Sequence, residues 1–184
     1  MDIALRNTVK KQLLWVAMAA ISMFFASLLS AFIVEKADVL NWNEFILPNY
    51  FVLSTGVIIL SSTLLLFIKQ QLRKEGSVFI LVCAVLILGL IFSYFQIKGW
   101  QQLTNQGIYL TGAGSNISGS FLYVVTLTHL LHLLGGLIAL FISTIKSKRN
   151  LYSIDNYLGL ELTSIYWHFL TVLWILLFSF LKFY

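Results

Sequence analysis

Apolar and polar positions in this chain do not alternate with the two-residue period of a half-buried strand or the 3.6-residue period of a surface helix. They separate instead into long, nearly uncharged runs bounded by short polar stretches. The runs are 13–34, 46–68, 77–97, 121–145 and 156–181, with lengths of 22, 23, 21, 25 and 26 residues. A hydrocarbon core about 30 Å thick is crossed by roughly 20 helical residues rising about 1.5 Å each. Each run therefore predicts a transmembrane helix, because only a helix closes the backbone hydrogen bonds of a single apolar segment inside lipid. The expected fold class is all-α: a polytopic membrane bundle of five transmembrane helices. The runs occupy 117 of 184 residues, and the remainder is too short to bury a soluble core. Residues 1–184 are accordingly expected to form a single membrane domain without a catalytic headpiece. Pro48, the sole proline, falls in the first turn of the second run, where its missing N–H costs the helix nothing.

Composition agrees, with 59% of residues apolar and 10% charged, against about 45–50% and 25% in soluble domains. The net charge of +5 matters less than its placement. Arg6, Lys10, Lys11, Lys69, Arg73, Lys74, Lys146, Lys148 and Arg149 gather on one side of the alternating runs, while Lys36, Lys98 and Lys182 fall on the other with Glu35, Asp38 and Glu44. This asymmetry predicts the N-terminus inside and the C-terminus outside. Arg6, Lys10 and Lys11 before an apolar run resemble the front of a signal peptide. The run is longer than an h-region, however, and Glu35-Lys36-Ala37-Asp38 offers no small-residue cleavage site, so a retained helix is expected. Trp42, Trp100, Tyr109, Phe183 and Tyr184 occupy the outer ends as an aromatic belt would. The one long connection, Lys98–Ser120, contains Gly99, Gly107, Gly112, Gly114 and Gly119 and suggests an ordered lid or a partner surface. The single cysteine, Cys83, permits neither an intramolecular disulfide nor a cysteine-based metal site.

Ionisable groups are costly in hydrocarbon, so His129, His132, Glu161 and His168 are the functional candidates. At about 100° per residue, His129, His132 and Gly136 lie within about 60° of one another, flanked by Thr126. Tyr157, Glu161, Ser164, His168 and Thr171 share an arc of about 80° on the last run. The simplest arrangement turns these two stripes toward each other. By depth, His132 and His168 lie about 20 Å and 18 Å from the inner ends of their helices, and Glu161 about 8 Å. Glu161 is thus expected near lipid headgroups, bonded to a phospholipid amine or a lysine. The histidines are expected to bond across the seam to Thr126, Ser164 or Tyr166, and no metal site is expected. A His132–His168 pair clamping a b-type haem in a membrane anchor is the main alternative from spacing. A small transporter is the third reading, and the sequence has neither the repeats nor the interrupted helices of one. Ala20, Ser27 and Ala31 form a small-residue strip suited to close helix packing, as do Gly135 and Gly136. No phosphate loop, paired carboxylates at reaction spacing or nucleophile beside a base is present, and no nucleic-acid partner is expected.

The stretch LTHLLHLLGG (127–136), followed by YWHFLTVLWILLF (166–178), resembles the two closing helices of subunit III of the haem-copper, cytochrome c oxidase group. MFFASLLSAFIV (23–34), LPNYFVLSTGVIILSSTLLL (47–66), FQIKGWQQLTNQGIYL (95–110) and SGSFLY (118–123) extend the resemblance. Five spans correspond to the shorter form of that subunit, without the two N-terminal helices of the seven-helix form. The resemblance implies a non-catalytic core subunit of a respiratory terminal oxidase that holds no haem or copper itself. Those cofactors are expected in partner subunits. It further implies packing beside the catalytic subunit I and other oxidase subunits, bound phospholipid, support of proton uptake and stability, and residence in the bacterial inner membrane; a larger respiratory supercomplex is a candidate partner whose membership the sequence does not decide. His129 and His132 match its His-x-x-His, Glu161 the carboxylate opening its last helix, and Tyr166, Trp167 and His168 its Tyr-Trp-His. Two family carboxylates are replaced, one by Ala20, Ile21 and Ser22 and one by Thr171. Their loss weighs against direct proton relay and toward a packing and lipid-binding role. The electron donor, cytochrome c or quinol, is not encoded in this chain.

Overall fold

The computed structural model describes residues 3–38, 47–73, 77–112, 115–153 and 156–183. Trp42, Glu44, Lys74, Gly114 and Tyr184 lie outside the described residues, as do the side chains of Asp38 and Arg73. The helices are α1 (Ile3–Asp38), α2 (Asn49–Leu66), α3 (Ile68–Arg73), α4 (Phe79–Asn105), α5 (Ile117–Lys148) and α6 (Leu158–Phe183). Five segments, 5–37, 49–72, 79–105, 117–148 and 158–183, are long and apolar enough to cross a membrane. The five expected helices are all present, and most run past their apolar limits because polar residues outside the bilayer continue the same hydrogen-bond ladder. Two boundaries change the picture. A turn at Phe67 splits the second run, separating α2 from the short α3. Lys98, Gly99 and Trp100, expected in an outer connection, instead lie in the last turns of α4, with Trp100 half-buried against α5.

Two helix ends show why the chain stops where it does. At the end of α4, Gly107 adopts φ 79°, and the Ile108 and Gly107 N–H groups return to the carbonyls of Leu103 and Thr104 at 3.1 and 3.0 Å. This is the six-to-one, five-to-two closure that a left-handed residue permits. Asn150 does the same after α5 at φ 50°, with Leu151 and Asn150 donating to Lys146 and Ser147.

Helices α2, α4, α5 and α6 form an up-and-down ring. Early α2 meets late α4 through Ser54 and Gln96, late α4 meets early α5 through Trp100 and Thr126, and α5 meets α6 in antiparallel sense through Ser143 and Thr163. The ring closes through Thr55 and Trp174 on α2 and α6. Its core includes Phe51, Ile58, Val82, Phe92, Leu133, Leu140, Trp167 and Trp174. Helix α1 stands outside the ring, parallel to α6, and turns Met18, Phe25 and Phe32 inward. Phe25 packs with Val125, Leu173 and Leu177 in a second, smaller cluster. The expected small-residue strip faces elsewhere: Ala20, Ser27 and Ala31 are all exposed. Large side chains seat α1 because it lies in a groove between two helices rather than against one backbone.

Candidate functional site

Within the ring the polar groups are spent on hydroxyl–indole and hydroxyl–imidazole contacts between helices. The Trp167 Nε1–H donates to Ser61 Oγ at 2.9 Å and the Trp174 Nε1–H to Thr55 Oγ1 at 2.9 Å. The Trp100 Nε1–H donates to Thr126 Oγ1 at 3.0 Å. Each hydroxyl also donates to a carbonyl of its own helix, so every one of these polar atoms is paired. Trp167 is the meeting point of the four ring helices. Its indole, fully buried, lies between Gly89 of α4 and Gly136 of α5, with its N–H on α2. A Cβ built on Gly136 would lie 3.2 Å from the indole and 3.0 Å from Leu170, so a side chain here would press the indole or Leu170 back by a few tenths of an ångström. Gly135, one residue away, is exposed, and its nearest neighbour is Tyr166 Oη.

The three histidines take three different environments, and the two stripes do not face each other. His168 turns its Nδ1 to Ser62 of α2, and its Nε2 lies 3.3 Å from Ser164 Oγ of its own helix. His132 turns its Nδ1 to the Thr128 carbonyl at 2.8 Å and its ring against Phe25 of α1. Tyr166 crosses to α5, where its hydroxyl donates to the backbone carbonyl of His132 at 3.1 Å rather than to an imidazole. His129 is fully buried in an aromatic cage of Phe25, Phe92 and Trp174, and neither of its ring nitrogens has a hydrogen-bond partner among the described residues. The periodicity placed each histidine on a face but could not choose between the neighbours flanking that face. With His132 turned to its own helix and α1, and His168 to α2, the pair is not set to clamp a haem, and the haem-anchor reading is not supported. Among the described residues, no three His, Cys, Asp or Glu side chains converge.

Glu161 lies apart from the histidines, in the first turn of α6. Its Oε1 accepts from Lys11 Nζ of α1 at 2.9 Å, with the two side chains 32% and 42% exposed. The pair borders a cleft of about 240 Å³ lined by Asn7, Thr8, Lys11, Tyr157, Leu158 and Glu161. The expected lysine partner is thus present. The α2 hydroxyls and Gly89 were missed because uncharged Ser, Thr and Gly do not interrupt an apolar run. Their only signal was the recurrence of Ser54-Thr55 and Ser61-Ser62 seven residues apart.

A family model described as cytochrome c oxidase subunit III matches residues 13–184. The chain belongs to that family. His129, His132, Glu161 and Tyr166–His168 all lie within the matched residues, and Lys11 lies just before them. The chain is 31% identical over 143 residues to cytochrome c oxidase subunit 3 of Rhipicephalus sanguineus, covering 76% of this chain and 52% of that protein. It is 29% identical to the probable cytochrome c oxidase subunit 3 of Nocardia farcinica over 164 residues, 85% of this chain and 79% of the other. It is 27% identical to the probable quinol oxidase subunit 3 of Staphylococcus saprophyticus over 172 residues, 90% and 84% of the two chains. It therefore spans about half the length of the tick relative and about four fifths of these two bacterial ones. As a member of the subunit III family with five helices suited to crossing a bilayer, it is an integral membrane protein. Its relatives carry the names of both cytochrome c and quinol oxidases, so the family does not fix the electron donor.

Proposed function

We propose that this chain is the non-catalytic subunit III of a bacterial respiratory haem-copper oxidase. It sits in the inner membrane with its N-terminus in the cytoplasm, packs beside subunit I, binds phospholipid and supports complex stability and proton uptake. Haem and copper belong to the partner subunits. The family match over residues 13–184 carries this reading. In support, His168 contacts Ser62 of α2, and the His132 ring packs on Phe25 of α1 while its Nδ1 contacts a carbonyl of its own helix. The orientation rests on the basic residues, since the alternating directions of α1 and the ring helices gather Lys11, Lys69, Lys146, Lys148 and Arg149 at one end of the bundle. Affinity purification of the tagged chain in mild detergent, followed by mass spectrometry and a haem spectrum, tests the assignment. A haem-copper catalytic subunit should co-elute with it and carry the Soret band. The reading is refuted if the chain elutes alone, or if it shows a Soret band of its own after separation.

A further inference from the structure

Midway along the bundle, the seam between α2 and α6 holds three polar side chains whose hydrogen bonds do not balance. His168 of α6 meets Ser62 Oγ through its Nδ1 and, at 3.3 Å, Ser164 Oγ through its Nε2. Other hydroxyls of these two helices are settled on their own backbones. Ser54, Thr55, Ser61 and Thr63 of α2 donate to carbonyls three or four residues back, and Thr163 and Thr171 of α6 do the same. Ser62 and Ser164 are bonded to the imidazole alone. A neutral imidazole has one N–H, so the trio holds three donors for two contacts. If Ser62 donates to Nδ1, the Nε2–H turns to Ser164 and the Ser164 hydroxyl proton is left over. In the other tautomer the proton left over belongs to Ser62. Either way one O–H is without an acceptor among the described residues.

The trio stands where lipid supplies no acceptor. His168 is ten residues from Leu158 and Ser62 ten residues from Leu72, the ends of their spans on the same side of the bundle. That is about 15 Å at 1.5 Å per residue, the middle of a hydrocarbon core about 30 Å thick. All three side chains are half-buried, and the surface beside them is apolar. At about 100° per residue, Ile59 and Leu66 lie within about 60° of Ser62, and Val172 about 40° from His168; all three are exposed. Helix α1 lies along another side of α6, against Leu173, Leu177 and Phe180. A polar group at this depth belongs against protein rather than lipid, and an interhelical hydrogen bond helps to hold membrane helices together. We propose that this seam is the docking face for a transmembrane helix of the catalytic subunit, which presents a polar side chain with an oxygen acceptor at the level of His168. The leftover hydroxyl donates to that oxygen, and Ile59, Leu66 and Val172 pack around it. The inference rests on the reading above that the chain stands beside subunit I, and it names the face and the chemistry of the contact.

The test uses the assembled complex in its native membrane. The photo-crosslinking residue benzoylphenylalanine replaces Val172, and the crosslinked peptides are read by mass spectrometry. The crosslink should fall on a transmembrane helix of the catalytic subunit, within one turn of a residue with a side-chain oxygen. A crosslink to lipid alone, to a second copy of this chain or to another subunit would overturn the proposal, as would a helix without such a residue. His168→Leu removes the imbalance, because Ser62 and Ser164 then return to carbonyls of their own helices. It should raise loss of the subunit from the complex in detergent about threefold, the factor carried by one interhelical hydrogen bond of average strength in a membrane; unchanged retention would refute the bond. Val172→Trp obstructs the face without touching the trio and should release the subunit, whereas Ile87→Trp, on the exposed face of α4 across the ring, should not. Equal retention of these two variants would also overturn the proposal, and both keep the trio intact, so they decide even where His168→Leu does not accumulate. A native chain that elutes without a catalytic subunit refutes the earlier reading, while a co-eluting catalytic subunit that is not reached from Val172 refutes this inference alone.

Discussion

Replacing Gly89 with alanine tests whether Trp167 is the point on which the four ring helices converge. A Cβ at position 89 would lie 2.6 Å from Trp167 Cη2 and 2.7 Å from Leu137 Cδ2, well inside contact distance, and both side chains are buried. The indole cannot retreat, because Gly136 flanks it on α5 and its N–H is held by Ser61. Overpacking of this kind costs about 1–3 kcal/mol, while alanine in place of glycine in a helix returns up to about 1 kcal/mol. With contacts as short as 2.6 Å the cost falls in the upper part of that range, so the expected net effect is a loss of about 1–2 kcal/mol, measured as reversible unfolding of the purified subunit in mixed detergent and dodecyl sulfate. Trp167→Phe removes the two indole carbons nearest Gly89, Cη2 and Cζ2. It also costs the bond to Ser61, about 0.6 kcal/mol and at most about 1.7 for an interhelical hydrogen bond in a membrane. In that background most of the clash is gone, so Gly89→Ala should turn neutral or stabilising. Independent sites add to within about 0.5 kcal/mol. Additive losses in the double variant, or a harmless Gly89→Ala in the native background, would show that the indole is not confined as described.

Three further outcomes follow from other parts of the bundle. His129→Leu should leave stability unchanged or raise it by up to about 2 kcal/mol in the same assay, since a buried polar group without a partner carries a desolvation cost of about 1–3 kcal/mol; a loss above about 1 kcal/mol would mean the ring is bonded. A double-mutant cycle on Lys11→Ala and Glu161→Ala should give a coupling of only about 0.2–1 kcal/mol, because both side chains are about a third exposed or more. With Cys83 replaced by serine, single cysteines at Ser77 and Thr104, which lie at opposite ends of α4, should react with an impermeant thiol reagent from opposite sides of the membrane. Ser77 should react from the cytoplasmic side, and labelling of Ser77 from outside would reverse the proposed orientation.

Length alone made the helices legible, because a run of more than 20 apolar residues has one way to satisfy its backbone in lipid. Their contacts were harder to read. Helix periodicity assigns a residue to a face, but a face in a ring touches two neighbours, and the nearest hydroxyl decides between them. His168 therefore went to Ser62 of α2 and not to α5, an outcome hidden because Ser62 is silent in a hydropathy profile. The seat of α1 was legible by another rule than the one applied. Small size pointed to Ala20, Ser27 and Ala31, whereas Lys11, Met18, Phe25 and Phe32 recur every seven residues and mark a single straight line along the helix. That line is the one turned toward the bundle: Phe32 meets Phe180, Phe25 meets His129 and His132, and the part-exposed Lys11 meets Glu161. A heptad line keeps one edge of a long helix facing its neighbours, here the groove between α5 and α6, since 3.5 residues per turn holds that edge in register. Lys11 thus belongs to the line by position while standing beyond its apolar part by chemistry. At the headgroup level the seam continues as an ion pair, because a charge there remains in contact with water and lipid phosphates, and the same residue one heptad deeper would have to be buried.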